Sequence, residues 1–180
     1  ASKKSKNEVF GMAGILDTAR YRAFLAEALD VNPKDIQALL LGGHGDTMVP
    51  LPRYTTVSGI PVTEMIEEDK LNAIIDRTKK GGGELVNLMG TSAWYAPGSA
   101  AAQMVEAIVL DQKRIFPVCA YLQGEYGLND IYVGVPVKLG KNGIEQIIEV
   151  KLNPDEKALL DSSASAVKDV MNVLDGMKLF

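Results

Sequence analysis

The 180-residue chain has little of the chemistry that most enzymes rely on, since it contains only one cysteine and one histidine. A lone cysteine, Cys119, excludes an internal disulfide and is typical of a protein from a reducing compartment. Its apolar neighbours predict a buried structural thiol, with a reactive role as the alternative. One cysteine and one histidine are also too few for a zinc site of the usual ligand count, so we expect no metal.

The chain also lacks an excess of charge of one sign and long apolar runs. Its 19 basic and 23 acidic residues give a net charge of -4, so the chain lacks the excess of positive charge that binds nucleic acid or an anionic membrane. No apolar run approaches the roughly 18 residues needed to span a bilayer. We therefore expect one soluble domain that binds neither nucleic acid nor membrane.

Two glycine-rich stretches resemble nucleotide-binding motifs but are incomplete. The G-x-G-x-x-G turn of dinucleotide-binding folds is missing, because residues 11–14 hold too few glycines and residues 43–45 lack a third glycine at the needed spacing. Residues 81–83 are three glycines, but Glu84 follows them where a P-loop needs lysine and a hydroxyl. We interpret this triplet as a bend between two helical segments.

The only histidine, His44, lies between glycines in the stretch LGGHGDTMVP, residues 41–50. Imidazole has an unperturbed pKa of about 6.5, so His44 is the best candidate for acid–base chemistry. Residues 36–41 predict a buried strand, which places His44 at the carboxyl end of that strand, where α/β proteins tend to bind ligands. A histidine in a tight surface turn is the alternative.

A mostly apolar helix predicted from residue 15 onward carries two unexpected polar residues, Asp17 and Arg20. They could form an intrahelical ion pair, worth roughly 0.3 to 0.5 kcal/mol if exposed. Alternatively, Arg20 binds a substrate carboxylate, and Asp17 accepts a hydrogen bond from the His44 ring, fixes its tautomer and raises its pKa. Asp17 and His44 could also serve a hydrolase, but no G-x-S-x-G elbow is present.

The rest of the sequence predicts further helices around an antiparallel meander. An Asn-Gly pair at 142–143 indicates a hairpin, and Asn153 with Pro154 and Glu156 indicates the start of the last helix. The predicted strands cover residues 51–57, 116–122, 131–139 and 144–150, and the predicted helices start at the N-cap Thr63, near Gly98 and at Pro154.

The stretches GILDTARYR, residues 14–22, and LGGHGDTMVP, residues 41–50, resemble in sequence and order the C-terminal half of the lactate/malate dehydrogenase family. The resemblance runs from about Val9 to about Val173 and is strongest to the lactate-dehydrogenase-like malate dehydrogenases of bacteria. It implies an α+β domain with an antiparallel sheet flanked by helices. Residues 1–180 would be the catalytic and substrate domain, with the N-terminal Rossmann NAD-binding domain absent from this chain.

The resemblance implies a role for each matching residue. His44 would exchange the proton of the substrate hydroxyl, Asp17 would be its partner, and Arg20 would hold the substrate carboxylate. The implied reaction is the NAD-dependent interconversion of malate and oxaloacetate, a step of the tricarboxylic acid cycle. An isolated substrate and oligomerisation domain without activity of its own is one alternative, and a lactate dehydrogenase is another.

The same resemblance implies the surroundings of the site. The short residues Ser92 and Ala93 would leave space for substrate, and Met12 together with His44 would contact NAD. Gly43 stands where lactate dehydrogenases usually carry glutamate, and Ala93 falls near a position that is commonly threonine in them, which favours malate. The family further implies a cytoplasmic homodimer or homotetramer.

Overall fold

The computed structural model describes residues 3–177, with Ala13 described by its backbone alone. The helices are α1 (Ala13–Leu29), α2 (Glu68–Met89), α3 (Tyr95–Val109) and α4 (Pro154–Gly176). The strands are β1 (Ile36–Gln37), β2 (Leu40–Gly42), β3 (Met48–Pro50), β4 (Thr56–Val57), β5 (Ile60–Pro61), β6 (Arg114–Gln123), β7 (Asn129–Gly140) and β8 (Gly143–Ile147). This architecture confirms the expected α+β class.

The main sheet is antiparallel and is built around the long strand β7. Its order is β3-β2-β7-β6, and β8 also pairs with β7. β7 meets β8 through a hairpin in which Gly143 adopts a φ of 79°, a conformation that glycine reaches without strain. The predicted hairpin and the strands predicted over residues 116–122 and 131–139 are therefore confirmed, whereas the strand predicted over residues 144–150 ends at Ile147.

The prediction of one strand over residues 36–41 is wrong, because the chain changes sheets within it. Ile36 and Gln37 pair with β4 in a second sheet of order β1-β4-β5, whereas Leu40 to Gly42 pair with β3 in the main sheet. The apolar pattern of a stretch does not show whether its residues pair within one sheet or in two. The prediction that a buried strand leads to His44 still holds for β2, all of which is buried.

The strand predicted over residues 51–57 is also mostly wrong. Pro52–Tyr54 form a single turn of 3-10 helix, in which the N–H of Tyr54 donates to the Leu51 carbonyl. The Thr55 hydroxyl donates to the same carbonyl at 2.9 Å, so a side chain satisfies the backbone locally. Only β4 at the end of this stretch is extended.

Helix α2 differs from the prediction at its start and in its middle. Val62–Glu64 form a separate 3-10 turn, so α2 begins at Glu68 rather than behind a Thr63 cap. The predicted bend at residues 81–83 is wrong, because α2 continues through the three glycines to Met89. Gly90 then ends the helix with a φ of 70°. α3 begins three residues before the predicted start at Gly98.

Helix α1 lies between two apolar cores, which explains why few of its faces are polar. Ile15 and Leu16 pack in the core between the main sheet and helices α1, α3 and α4, whereas Tyr21 and Leu25 pack in the core beneath α2 and the small sheet. Asp17 lies on this buried helix and is 2% exposed. No helix in the described range 3–177 has both the length and the apolarity to cross a membrane.

The segment before α1 is attached to β6 at Cys119. The backbones of Gly11 and Cys119 exchange two hydrogen bonds of 2.9 Å. The Cys119 side chain is half-buried rather than fully buried as predicted, and its burial raises the pKa of the thiol. A raised pKa favours the unreactive thiol form, so Cys119 has the character of a structural residue.

Helix α4 begins as its sequence predicts. The Asn153 side chain accepts a hydrogen bond from the N–H of Glu156 at 2.8 Å, and the Glu156 carboxylate accepts one from the N–H of Asn153 at 2.9 Å. This reciprocal pair is a capping box, and Pro154 occupies the first helical position. The buried residues Leu160 and Ala164 then place α4 against the main-sheet core.

Candidate active site

A buried carboxylate joins the two other candidate residues of the site. Oδ2 of Asp17 lies 2.9 Å from Nδ1 of His44, and Oδ1 of Asp17 lies 3.4 Å from Nη1 of Arg20. The Asp17 side chain is 3% exposed, whereas that of His44 is 52% exposed. The carboxylate is thus a buried anchor, and the imidazole is the part of the pair that a substrate can reach.

The loop that carries His44 is held by backbone contacts on two sides. The N–H of Gly43 donates to the hydroxyl of Ser163 in α4 at 2.7 Å. β2 meets β7 where Gly42 lies opposite Gly134, and a Cβ on Gly134 would lie 2.4 Å from the Gly42 carbonyl oxygen. The close approach of these two strands therefore requires glycine at position 134. It also fixes the position of the end of β2, from which the chain continues to His44.

The surroundings of His44 favour its protonated form. The pKa of His44 is raised, first by its hydrogen bond to Asp17 and further by the charge of that carboxylate. Partial burial and the nearby Arg20 charge lower the pKa and offset part of this effect. Because Nδ1 donates to Asp17, Nε2 is the ring nitrogen left for proton exchange with a ligand.

An open cavity of about 990 Å³ lies between α1, the His44 loop and α2. His44 and Arg20 both line it, as do Lys79 and Lys80 of α2. The Arg20 side chain is only 13% exposed, and its one contact with Asp17 leaves other N–H donors of the planar guanidinium for a ligand. The cavity thus combines a proton-exchanging ring with cationic groups suited to a small anion.

Three further predicted site residues lie elsewhere. Met12 precedes the first residue of α1 and packs against the main-sheet core. Ser92 and Ala93 lie in the connection between α2 and α3. None of these residues belongs to the lining of the cavity at His44. The structure therefore brings together His44, Asp17 and Arg20, but not these three with them.

Sequence reasoning missed Ser163, Lys79 and Lys80. Ser163 is 2% exposed and lies on a helix with many serines and alanines, so no local pattern distinguishes it. The two lysines precede the glycine triplet, but only the position of α2 across from α1 places them at the cavity.

Comparison with known proteins agrees with these observations. Residues 15–175 match the family described as lactate/malate dehydrogenase, alpha/beta C-terminal domain. The chain is 72% identical over 176 residues to the malate dehydrogenase of Cytophaga hutchinsonii, which covers 98% of this chain and 56% of that protein.

Solved structures show the same relationship. The malate dehydrogenase of Salinibacter ruber matches with a TM-score of 0.97 at 59% identity, over 98% of this chain and 58% of that one. The lactate dehydrogenase of Eimeria maxima, solved with NADH and oxamate, matches with a TM-score of 0.93 at 43% identity, over 98% of this chain and 56% of that one. The chain spans a little over half the length of these relatives. It therefore belongs to the lactate/malate dehydrogenase family and carries the alpha/beta C-terminal domain of that family.

Proposed function

We propose that this chain is the substrate-binding and catalytic part of an NAD-dependent malate dehydrogenase, which interconverts malate and oxaloacetate. The observation that carries the proposal is the 2.9 Å contact of His44 Nδ1 with the buried Asp17 carboxylate, beside a cavity that Arg20 also lines. The malate dehydrogenases of Cytophaga hutchinsonii and Salinibacter ruber support the choice of substrate, since they are 72% and 60% identical to the chain.

In the direction of malate oxidation, Nε2 of His44 accepts the proton of the C2 hydroxyl. The imidazolium that forms is stabilised by the Asp17 carboxylate, which holds Nδ1–H on the other side of the ring. In the reverse direction the same Nε2–H returns the proton to the carbonyl oxygen of oxaloacetate. Asp17 thus fixes the tautomer that exposes Nε2 in both directions.

Arg20 binds the carboxylate next to the reacting carbon of malate. A guanidinium donates two parallel N–H bonds to a carboxylate, which fixes the orientation of C2 as well as its position. Because Arg20 and His44 line one cavity, a substrate held by Arg20 can present its C2 hydroxyl to His44. We also propose Ser92 and Ala93 as short residues that leave space for substrate. The support is the family resemblance, in which Ala93 falls near a substrate-pocket position, since neither residue lines the cavity at His44.

NAD, when bound, supplies the acceptor for the hydride that leaves C2. The residues of this chain fit the reacting end of that cofactor, since the cavity at His44 is open and half of the imidazole is exposed. Met12 and His44 are its proposed contacts. The pyrophosphate-binding G-x-G-x-x-G turn is missing from the 180 residues, so we propose that an N-terminal Rossmann domain outside this sequence holds the rest of NAD.

We further propose that the assembled enzyme is a homodimer or homotetramer of the cytoplasm, acting in the tricarboxylic acid cycle. Large apolar side chains on α3 support self-association, since Tyr95 is 88% and Val109 is 72% exposed. The single cysteine supports a reducing compartment.

A chimera tests the proposal, with this chain replacing the matching stretch of the Cytophaga hutchinsonii malate dehydrogenase. We expect the chimera to oxidise malate with NAD. We expect His44→Ala to lower kcat by roughly 100- to 10,000-fold, the usual contribution of a general base. Arg20→Ala should mainly raise KM for malate. Arg22→Ala is the control, because Arg22 on the same helix donates to the Pro33 carbonyl instead.

Near-normal malate oxidation by the His44→Ala chimera would overturn the proposal, as would a folded but inactive parent chimera. Faster oxidation of lactate than of malate would show that lactate, and not malate, is the substrate. Titration of the 180-residue chain with NADH tests the location of the cofactor site. Micromolar binding by this chain alone would show that the Rossmann domain is not needed to hold the dinucleotide.

A further inference from the structure

The three consecutive glycines of α2 have no role in the function described so far. A glycine in the interior of a helix is less favourable than alanine by roughly 0.5–1 kcal/mol, so a triplet is costly unless something requires it. Residues 81–83 nevertheless lie inside one continuous helix, Glu68–Met89. Gly81 is buried, whereas Gly83 is exposed. The three positions therefore differ in what surrounds them.

The space beside Gly81 is filled by the side chain of Arg20. A Cβ built on Gly81 would lie 2.3 Å from Cδ, 2.9 Å from Nε and 3.4 Å from Cγ of Arg20. A Cβ on Gly82 or Gly83 would have no such neighbour within 4 Å. Only the first glycine of the triplet is thus required by a neighbouring side chain.

The contact involves the part of Arg20 that directs its guanidinium. Carbon atoms pack at about 3.5–4.0 Å, so a methyl group at Gly81 would displace Cδ of Arg20 by more than about 1 Å. Rotation about the bonds at Cγ and Cδ would then move the guanidinium from its 3.4 Å contact with Asp17 and from the cavity. The conformation of Arg20 seen here is compatible with glycine at position 81 and not with a larger residue.

We propose that Gly81 is a positioning residue for carboxylate binding. Because glycine has no side chain, α2 has a groove at Gly81 in which the aliphatic part of Arg20 lies. The guanidinium of Arg20 therefore reaches both Asp17 and the cavity. This inference rests on the proposed function, in which Arg20 binds the substrate carboxylate.

Kinetics of the Gly81→Ala chimera test this role. A displacement of about 1 Å in a substrate-positioning group can cost on the order of 100-fold, so we expect kcat/KM for malate to fall roughly 10- to 100-fold. Most of this loss should lie in KM, because Arg20 binds a carboxylate that malate carries throughout the reaction. Gly98→Ala is the matched control, since Gly98 is a helical glycine of α3 with open space around its Cβ position.

A second pair of variants separates positioning from a general effect on α2. In an Arg20→Ala background the groove is empty, so Gly81→Ala should cause no further loss of kcat/KM. There it should also raise Tm of the full-length chimera by about 1–2 °C, since alanine is the better helix former and the three atoms nearest to its Cβ, all of Arg20, are gone. With Arg20 present, the same substitution should leave Tm unchanged or lower it.

Equal values of kcat/KM for Gly81→Ala and Gly98→Ala would overturn the inference. It would also be overturned if Gly81→Ala changed Tm by the same amount with and without Arg20. If the Gly81→Ala chimera does not fold, folding of the Arg20→Ala double variant supports the inference, and failure of both overturns it. An unchanged KM in Arg20→Ala alone would instead contradict the proposed function. A Gly81→Ala substitution that raises Tm only when Arg20 is absent would still show that Gly81 accommodates Arg20.

Discussion

The hydroxyl of Ser163 accepts a hydrogen bond of 2.7 Å from the backbone N–H of Gly43, although 120 residues separate the two in sequence. The last helix of the chain therefore holds the loop that presents His44 to the cavity. Ser163 is 2% exposed, so water cannot easily replace its hydroxyl.

Ser163→Ala should therefore destabilise the domain and slow the reaction. The variant leaves the N–H of Gly43 without its partner. A buried unpaired group costs about 1–3 kcal/mol, and because Gly43 is half-buried we expect a loss near the lower end of that range. A looser loop should also lower kcat, because His44 follows Gly43 directly. Urea unfolding and malate oxidation by the chimera measure both effects. Ser165→Ala is the control on the exposed side of α4, and identical behaviour of the two variants would contradict the role of Ser163.

Asp17→Asn should change the pH dependence of malate oxidation. In the proposed mechanism His44 must be neutral to accept the hydroxyl proton. Its hydrogen bond to Asp17 raises the pKa of the imidazole, so the neutral form appears at higher pH. In the parent chimera kcat/KM for malate should therefore rise with pH to a plateau, with a midpoint above about 6.5. The amide introduced by the substitution carries no charge, so the midpoint should move to lower pH while the plateau falls. An unmoved midpoint would show that Asp17 does not set the protonation of His44.

The same raised pKa gives His44 a defined effect on stability. A group whose pKa is higher in the folded state stabilises that state below its unfolded pKa, and this contribution is lost as the pH rises through the folded pKa. The free energy of unfolding should therefore decline across that window in the parent and change less in His44→Gln. Urea unfolding at a series of pH values measures the difference. Parallel curves for the two proteins would contradict the 2.9 Å contact with Asp17.

Glu156→Gln should reduce stability at neutral pH and remove an acid-sensitive contribution. Glu156 accepts two hydrogen bonds from Arg53, at 2.9 and 2.7 Å, and Arg53 holds the pKa of this carboxyl below its ordinary value. A lowered pKa stabilises the fold above the unfolded pKa, and the contribution is lost as the pH falls through the folded pKa. Asp155→Asn is the exposed control in the same helical turn, and an equal loss in both variants would refute the prediction.

Gly134→Ala should destabilise the junction between β2 and β7. The new Cβ would lie 2.4 Å from the carbonyl oxygen of Gly42, and a backbone atom in a buried strand cannot move aside as a side chain can. Overpacking of this kind costs typically about 1–3 kcal/mol. Thermal unfolding measures the loss, and activity should fall with it because β2 leads to His44. A Tm equal to that of Gly98→Ala would show that the strands can separate without cost.

Local signals in the sequence predicted the elements whose causes are local. The Asn-Gly hairpin and the capping box of α4 are complete within a few residues, so reading them requires no knowledge of the fold. The strand over residues 36–41 was predicted wrongly, because the partner of each half lies elsewhere in the chain. The glycine triplet was interpreted as a bend because glycine is a poor helix former, yet Gly81 lies in a helix against Arg20.

The sequence by itself determined which chemistry is available: one imidazole, a carboxylate and a guanidinium three residues apart on a buried helix, and motifs in the order of the lactate/malate dehydrogenase family. The sequence offered the contact of Asp17 with His44 only as one of two alternatives, and the tertiary structure established it. The tertiary structure alone decided that Ser163 holds the loop that carries His44 and that α2 accommodates Arg20. The reason is physical. Capping, turn formation and helical spacing act over a few residues, whereas the meeting of side chains from distant segments depends on how helices and sheets pack together.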